Sequence, residues 1–234
     1  MRGDPADATK VVCRFIRGRN ALLAEADFGP VFMDCYLHLG RNGVVLGRGI
    51  DGKLKLLLAT IALHAATLPR AVTCAWTLHL EGEGINLFAV AENPSGRLTG
   101  QVLAKHVRSV GGSILHAELA SAAGLRRRSA VEFTGDDILR VAEQYYAQSE
   151  QRPARFFDLG GDALAIVAAQ PDCDLEWLER LTGGEVKGLV EDSKGEPLET
   201  RCFRFECGCT PARIAEAVGP ALRGSLEEVF GGED

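Results

Sequence analysis

The chain has 234 residues, of which 46% are hydrophobic and 25% are charged. This composition is that of an ordinary globular protein, and it excludes a fibre or a wholly disordered chain. The formal net charge of -6 and the pI near 5.5 argue against a nucleic-acid-binding surface, because neutralising phosphates requires concentrated Lys and Arg. The most continuous apolar segment, Leu54–Leu68, is shorter than the roughly 20 residues needed to cross a bilayer, so no membrane span is expected.

The N-terminus and the cysteines predict a cytoplasmic location. The first ten residues are polar, and no apolar signal core follows a basic start. The chain has seven cysteines, an odd number that does not suit a secretory disulfide framework. Four of them are scattered among apolar or unrelated neighbours: Cys13, Cys35, Cys74 and Cys173. Mainly reduced thiols are therefore expected.

The chain is predicted to open with a hairpin and a helix. Two short apolar runs, Val11–Arg17 and Ala21–Ala26, flank a polar turn, as strands of a hairpin do. Asp27 can cap a helix that begins near Pro30 and stops at Gly40. The residues predicted on the inner face of this helix are Val31, Phe32, Cys35, Tyr36 and Leu39.

A buried helix and a meander of strands are expected next. Almost every residue of Lys53–Leu68 is Leu, Ile or Ala, which predicts a helix covered on nearly all sides by sheet or by a second subunit. His64 within it is interpreted as a hydrogen-bonded core residue, because no carboxylate stands nearby to orient it as a base. Apolar and polar residues alternate strictly over Val72–Leu80, which predicts a strand with one wet face. Glycine turns at 82–84 and 93–96 then predict a three-strand meander.

The middle of the chain is predicted to be a helix, a polar corner and a strand. Apolar residues recur at helical spacing between Asp136 and Gln148, and Thr134 or Asp136 is available as the cap. Pro153 pushes the residue before it towards an extended conformation, which ends the corner. The run Ala154–Leu159 is then predicted to enter the core as a strand.

The remaining third is predicted to be less regular. A second hairpin is completed by Ala163–Ala169, and Asp174–Leu181 is expected to be a short helix. The segment Glu185–Thr200 is rich in Glu, Asp, Lys, Gly and Pro, which is typical of a linker. Arg201–Cys209 alternates like a strand, and two short helices are expected after it.

These elements predict an α+β fold, with antiparallel β-sheets packed with helices in a main domain, then a short linker and a small C-terminal module. We place a disordered N-terminus at residues 1–10, the main domain at 11–182 and the linker at 183–200. A truncated, cysteine-containing module is placed at 201–234.

Three segments resemble one known family, and they occur in the right order. The most distinctive is Tyr145–Phe157, whose centre reads Gln-Ser-Glu-Gln-x-Pro. Before it in the chain lies Leu57–Gln101, which contains Gly82-Glu83-Gly84. After it lies Phe203–Leu222, which contains Cys207-Gly208-Cys209. Each is similar to a segment of the 33 kDa chaperonin family, the redox-regulated heat-shock holdases. The resemblance implies an ATP-independent chaperone of the stress response that binds unfolded or aggregation-prone proteins and commonly forms a homodimer.

The resemblance also makes the C-terminal cysteines candidate metal ligands. In that family a Cys-x-Cys pair and a later Cys-x-x-Cys pair hold zinc when reduced and form disulfides when oxidised. Cys207 and Cys209 stand in the place of the first pair, but no cysteine follows in residues 219–234. A structural zinc site takes four ligands, so the redox switch is incomplete here. Either Cys202 and a ligand from elsewhere complete a residual zinc site, or these thiols bind no metal.

The sequence gives no support for an enzyme. It has no Gly-x-Ser-x-Gly elbow and no His-Glu-x-x-His motif, and its five histidines are dispersed. The leading hypothesis is a holdase that binds clients through exposed apolar surface, without catalytic residues or a required cofactor. The alternative is a non-chaperone protein-interaction or regulatory module on the same scaffold. A small-molecule enzyme with a site between sheet and helices is a third, weaker hypothesis.

Overall fold

The structure is a computed structural model, and it describes residues 8–105, 107–121, 123–192 and 197–208. Ten strands in this part of the chain form one sheet, and helices pack against it. In chain order the elements are β1 (Thr9–Ile16), β2 (Ala21–Asp27), α1 (Gly29–Arg41), α2 (Arg48–Ala66), β3 (Val72–Leu80), β4 (Ile85–Glu92), β5 (Arg97–Leu103), β6 (Ser113–Ser121), β7 (Arg126–Phe133), α3 (Ile138–Tyr145) with a π-helical turn (Tyr146–Glu150), β8 (Ala154–Gly160), β9 (Ala163–Ala169), α4 (Leu175–Arg180), α5 (Gly183–Asp192) and β10 (Glu199–Phe205).

The sheet has two halves that share strand β10. Its strand order is β7-β6-β3-β4-β5-β10-β1-β2-β9-β8. Residues 199–203 of β10 pair with β1 in the antiparallel sense, whereas Arg204 and Phe205 pair with β5 in the parallel sense. The other strand pairs are antiparallel. The predicted α+β fold built on antiparallel sheet is confirmed, with one short parallel pairing added.

Helix α2 is the centre of the hydrophobic core. Every residue from Leu57 to Ala66 is buried, and the helix contacts strands of both halves of the sheet. It approaches the sheet most tightly at Gly100, where a Cβ would lie 2.8 Å from Leu58 Cδ2 and 3.2 Å from the carbonyl oxygen of Phe88. The predicted buried helix is confirmed, although it begins at Arg48 rather than Lys53 because the glycine-rich segment before it supplies the first turn.

Strands β3 and β4 pack on helix α2 with one face of the sheet. Strand β3 spans Val72–Leu80, as the alternating pattern predicted. Along β4 the residues alternate regularly between buried and half-buried, so one face packs on α2 and the other is partly open. This half of the sheet is therefore a one-sided layer over the central helix.

The segment that its composition predicted to be a linker is regular where the structure describes it. Helix α5 (Gly183–Asp192) buries Val186 in a second, smaller core, with Leu189 and Val190 packed against that core. Strand β10 (Glu199–Phe205) lies in the middle of the sheet. The composition gave no sign of this helix, because Gly and charged residues surround its three apolar residues at helical spacing.

The expected helices near the C-terminus fall at residues 209–234, outside the described part of the chain, as do residues 1–7. The division into a main domain, a linker and a C-terminal module therefore stays a prediction. Among the described helices, none is both long and apolar enough to span a lipid bilayer.

Candidate functional site

The corner after α3, where the resemblance to a known family begins, has an unusual backbone. Asp137, rather than Thr134 or Asp136, caps α3 by accepting hydrogen bonds from the amides of the helix's first turn, at 3.0 and 3.3 Å. The helix then widens into the π-helical turn, and Gln151 follows in a left-handed conformation with φ of 51°. Such turns often occur at functional sites, so the contacts of this corner decide whether it is one.

Tyr146 connects the corner to a buried histidine. Its hydroxyl lies 2.8 Å from His64 Nδ1 and 3.1 Å from the Thr67 hydroxyl, which donates to the backbone oxygen of His64 at 2.9 Å. Because the only proton of the Thr67 hydroxyl is used in that bond, Tyr146 must donate to Thr67, and His64 must donate from Nδ1 to Tyr146. Burial lowers the pKa of His64 to about 4. The imidazole is therefore neutral and fully enclosed, as expected for a core histidine.

Tyr145 and Glu150 join the corner to strand β7. The Tyr145 hydroxyl donates to Glu150 Oε1 at 2.6 Å, and Arg127 of β7 also bonds to that oxygen. Burial acts to raise the pKa of Glu150, but the hydrogen bond from Tyr145 and the charge of Arg127 outweigh it, and the net pKa is lowered. Burial raises the pKa of Tyr145. These groups hold α3, β7 and the core together, and no substrate can reach the buried rings, so we assign the corner a structural role.

A shallow depression of about 580 Å³ lies where β6 and β7 meet α3. Two titratable side chains line it, His116 and Glu132. Within the described part of the chain these two form no hydrogen bond or ion pair with each other, and the depression is open to solvent. It gives no support for the third hypothesis, a small-molecule enzyme, because acid-base chemistry needs a positioned pair of groups.

Three of the cysteines are packing residues. Cys13, Cys35 and Cys74 are buried, and burial raises the pKa of their thiols to about 11, 11 and 12. At neutral pH they are protonated, and protonated thiols are neither good nucleophiles nor metal ligands. This agrees with the expectation drawn from their apolar neighbours.

Two of the three candidate zinc ligands, Cys202 and Cys207, lie among the described residues. Cys207 is half-buried and packs against the main core, whereas Cys202 is exposed on β10. Cys209 lies outside the described residues. No cluster of three or more His, Cys, Asp or Glu side chains suited to a metal is found in residues 8–105, 107–121, 123–192 and 197–208. These residues alone do not form a zinc site, so zinc binding through Cys207 and Cys209 stays a prediction.

Among the described residues, helix α1 and the loop after it carry the largest group of exposed apolar side chains that are close together in the sequence. Its inner face buries Val31, Phe32 and Cys35, as predicted, but Tyr36 was wrongly placed inside and is 65% exposed. The helix is apolar on a second face as well. We use the name α1 surface for the exposed apolar residues of this face and of the loop after it, which are Met33, Tyr36, Leu37, Val44 and Val45.

The α1 surface lies on a helix whose other face is buried in the core. Its helical members stand three and four residues apart, on one side of α1. The loop folds back onto the end of the helix, where the amide of Val44 donates to the oxygen of Leu39 at 2.9 Å. Val45 is 94% exposed, and Met33 is 58% exposed. Neighbouring exposed apolar side chains of this kind mark interaction surfaces more often than isolated ones do.

Comparison with solved structures supports the α+β fold. No protein-family model matches the sequence, and no curated protein matches it. The described fold is similar to the crystal structure of the 33 kDa chaperonin (heat shock protein 33 homolog) from Thermotoga maritima, with a TM-score of 0.66. The match covers 94% of this chain and 89% of that one. The chain shares the fold of that chaperonin. The identity between the two is 16%, so the similarity establishes the fold and leaves the activity to be argued from the surface.

Proposed function

We propose that this protein is an ATP-independent holdase that binds unfolded proteins through the α1 surface. The observation that carries the proposal is that α1 exposes Met33, Tyr36 and Leu37 while its opposite face is anchored in the core. The fold shared with a heat-shock chaperonin supports the same assignment. The proposed site of action is the cytoplasm, with unfolded or aggregation-prone proteins as partners.

The chemistry of the α1 surface suits clients that have no common sequence. Unfolded chains expose apolar side chains, and burying one Leu- or Phe-sized group is worth about 1.5–3 kcal/mol. Met33 is flexible and polarisable, so it adapts to differently shaped partners, and Tyr36 adds a large ring with a polar end. A few such contacts hold a client without any catalytic group. The net charge of -6 keeps the loaded protein soluble.

The test is suppression of client aggregation. A thermally unfolding client is heated with the full chain in the absence of nucleotide, and light scattering is followed. We expect the wild type to suppress scattering, and Met33→Glu/Leu37→Glu to lose most of that effect. Leu125→Glu is the matched control, because Leu125 is an exposed leucine outside the α1 surface. Equal protection by all three proteins would refute the assignment of the surface, and no protection by the wild type would refute the function.

We also propose that client binding does not depend on the zinc and disulfide switch that the family resemblance implies. The support is that Cys13, Cys35 and Cys74 are buried and that burial raises the pKa of their thiols, so they stay protonated and react poorly with oxidants. Protection should be the same under reducing and oxidising conditions. Metal content per chain and a count of free thiols on the reduced protein would show whether Cys207 and Cys209 bind zinc.

The alternative, a regulatory module with a single folded partner, predicts a different result. Such a protein would capture one native partner and would protect no unfolded client. Such a partner could also bind the exposed face of α1. The client assay separates the two functions, because only a holdase protects an unfolded client.

A further inference from the structure

Strand β7 is an open edge of the sheet. Among the described strands it pairs with β6 alone, and residues 126–133 make no other backbone hydrogen bond to a described residue. The turn before it fixes which backbone groups are free, because the amide of Ser121 donates to the oxygen of Leu125 at 2.9 Å. The odd-numbered residues of β7 therefore bond to β6. The N–H and C=O groups of the even-numbered residues point to the free side of the strand, at Arg126, Arg128, Ala130 and Glu132.

The free side of β7 is open to solvent. Ala130 lies in the middle of the strand and is exposed. Because alanine has no long side chain, its exposure shows that solvent reaches the backbone there. Arg126 and Arg128 do not cover the backbone either, since both reach back to Glu118 of β6, at 3.8 and 2.8 Å. The free N–H and C=O groups of such an edge can pair with an added strand.

The outer face of β7 carries opposite charges at its two ends. At the first end, two arginines share the single carboxylate of Glu118, which leaves one positive charge unbalanced. At the other end, Glu132 has no ion-pair partner among the described residues. Glu132 also lines the depression of about 580 Å³ next to α3, together with Gln144, whose Oε1 is buried without a hydrogen-bond partner in the described part of the chain. The first end therefore favours a carboxylate, and the second favours a cationic donor.

We propose that β7 binds an extended segment of an unfolded protein as an added antiparallel strand. Directly opposed residues of neighbouring strands project on the same face, where unlike charges stabilise the pair. A Lys opposite Glu132 is followed four residues later by an acidic residue opposite Arg128, and then by one opposite Arg126. The preferred segment reads Lys-x-x-x-Glu-x-Glu, with strand-forming residues between the charges. An antiparallel ladder is the more stable one per residue, which sets this order of charges.

The alternative role of these charges is to keep the edge from pairing, as charged side chains often do on natural edge strands. Charges of a single sign along the edge would repel all strands of that sign. In β7 the two signs are separated along the strand, so the edge attracts a segment with the complementary order of charges. This mode of binding differs from that of the α1 surface, which takes apolar side chains of any sequence. It rests on the proposed function for the source of the segment, an unfolded client.

The experiment is a fluorescence-anisotropy titration of the labelled peptide Lys-Thr-Thr-Val-Glu-Val-Glu with the full chain, up to about 1 mM protein. We expect saturable binding to the wild type. A second peptide has proline at its third position, opposite Ala130, and keeps every charge. It should bind at least about fivefold more weakly, because proline removes an N–H that the added strand donates to the edge.

A charge variant tests the register of the added strand. Arg128→Glu should bind the first peptide at least about fivefold more weakly, because attraction is replaced by repulsion at the opposed pair. A peptide with Lys in place of the first Glu should restore binding to this variant. Arg48→Glu is the matched control, because Arg48 is an exposed arginine at the start of α2, and it should leave the dissociation constant unchanged.

Three results would overturn the proposal. The first is a wild type that does not bind the peptide, which would mean that the edge is closed to such partners. The second is equal binding of the proline peptide, which would reduce the effect to charge attraction. The third is equal binding by Arg128→Glu, which would place the site elsewhere. Met33→Glu/Leu37→Glu should bind the peptide as the wild type does, so failure of this inference and failure of the holdase proposal are separate results.

Discussion

Protonation of His64 should lower the free energy of unfolding by a predictable amount when the solution is acidified. The side chain is fully enclosed and neutral, and burial lowers its pKa from 6.5 to about 4. The unfolded chain takes up a proton at the higher value, and the folded chain does so only at the lower one. Unfolding therefore binds a proton between these two pH values, and the free energy of unfolding falls as the pH falls through this window. At about 1.4 kcal/mol per pH unit the loss is about 3 kcal/mol.

The assay is denaturant-induced unfolding at fixed pH values from 7 to 4, for the wild type and for His64→Asn. Asparagine can keep a donor near Tyr146 but does not titrate. Carboxylates titrate in both proteins, so the difference between the two unfolding free energies isolates the histidine. We expect the unfolding free energy of the wild type minus that of His64→Asn to become more negative by about 3 kcal/mol on going from pH 7 to pH 4. A difference that stays constant would refute the reasoning, because it would mean that His64 protonates equally in the folded and unfolded chains.

Two further changes test the packing around α2 by chemical denaturation. Gly100→Ala should destabilise the fold by about 1–3 kcal/mol, because the new methyl group would press on Leu58 and on the neighbouring strand; an unchanged midpoint would show that α2 lies further from the sheet. Tyr146→Phe should cost about 1–3 kcal/mol, because it leaves Nδ1 of His64 buried without a partner; a neutral effect would mean that the hydroxyl does not bridge to the histidine.

Short-range sequence patterns were enough to predict strand β3, helix α2 and the hairpin of β1 and β2. The strict alternation over Val72–Leu80 gave a strand with those bounds, and the run of Leu, Ile and Ala gave the buried helix α2. The hairpin of β1 and β2 followed from a polar turn between two apolar runs. In each case one segment of sequence contains the whole signal, so no knowledge of distant residues was needed.

The position of β10 could not be predicted in the same way. Its alternation indicated a strand, and that was confirmed, but its neighbours β1 and β5 are about 190 and 105 positions away in the sequence. A strand pattern identifies which face is buried and carries no information about partners at such distances. The acidic and glycine-rich residues before the strand predicted a linker, and they gave no sign that β10 lies between β5 and β1 in the sheet.

The α1 surface was missed for a different reason. Val31, Phe32 and Cys35 follow the helical period, but so do Met33, Tyr36 and Leu37 on another side of the same helix. When two faces of a helix are apolar, the sequence does not say which one packs inward. Tyr36 was assigned to the core for that reason. A second apolar face on a short helix is the one signal that would have indicated an interaction surface.

The central claim, that unfolded proteins bind to the α1 surface, is tested most directly by site-specific cross-linking. A photoreactive amino acid is placed at position 36, and in a control chain at position 125, and each is irradiated with a client before and after the client is unfolded. The account predicts cross-links from position 36 to the unfolded client, none to the native client, and few from position 125. Equal cross-linking from both positions, or none from position 36, would contradict it.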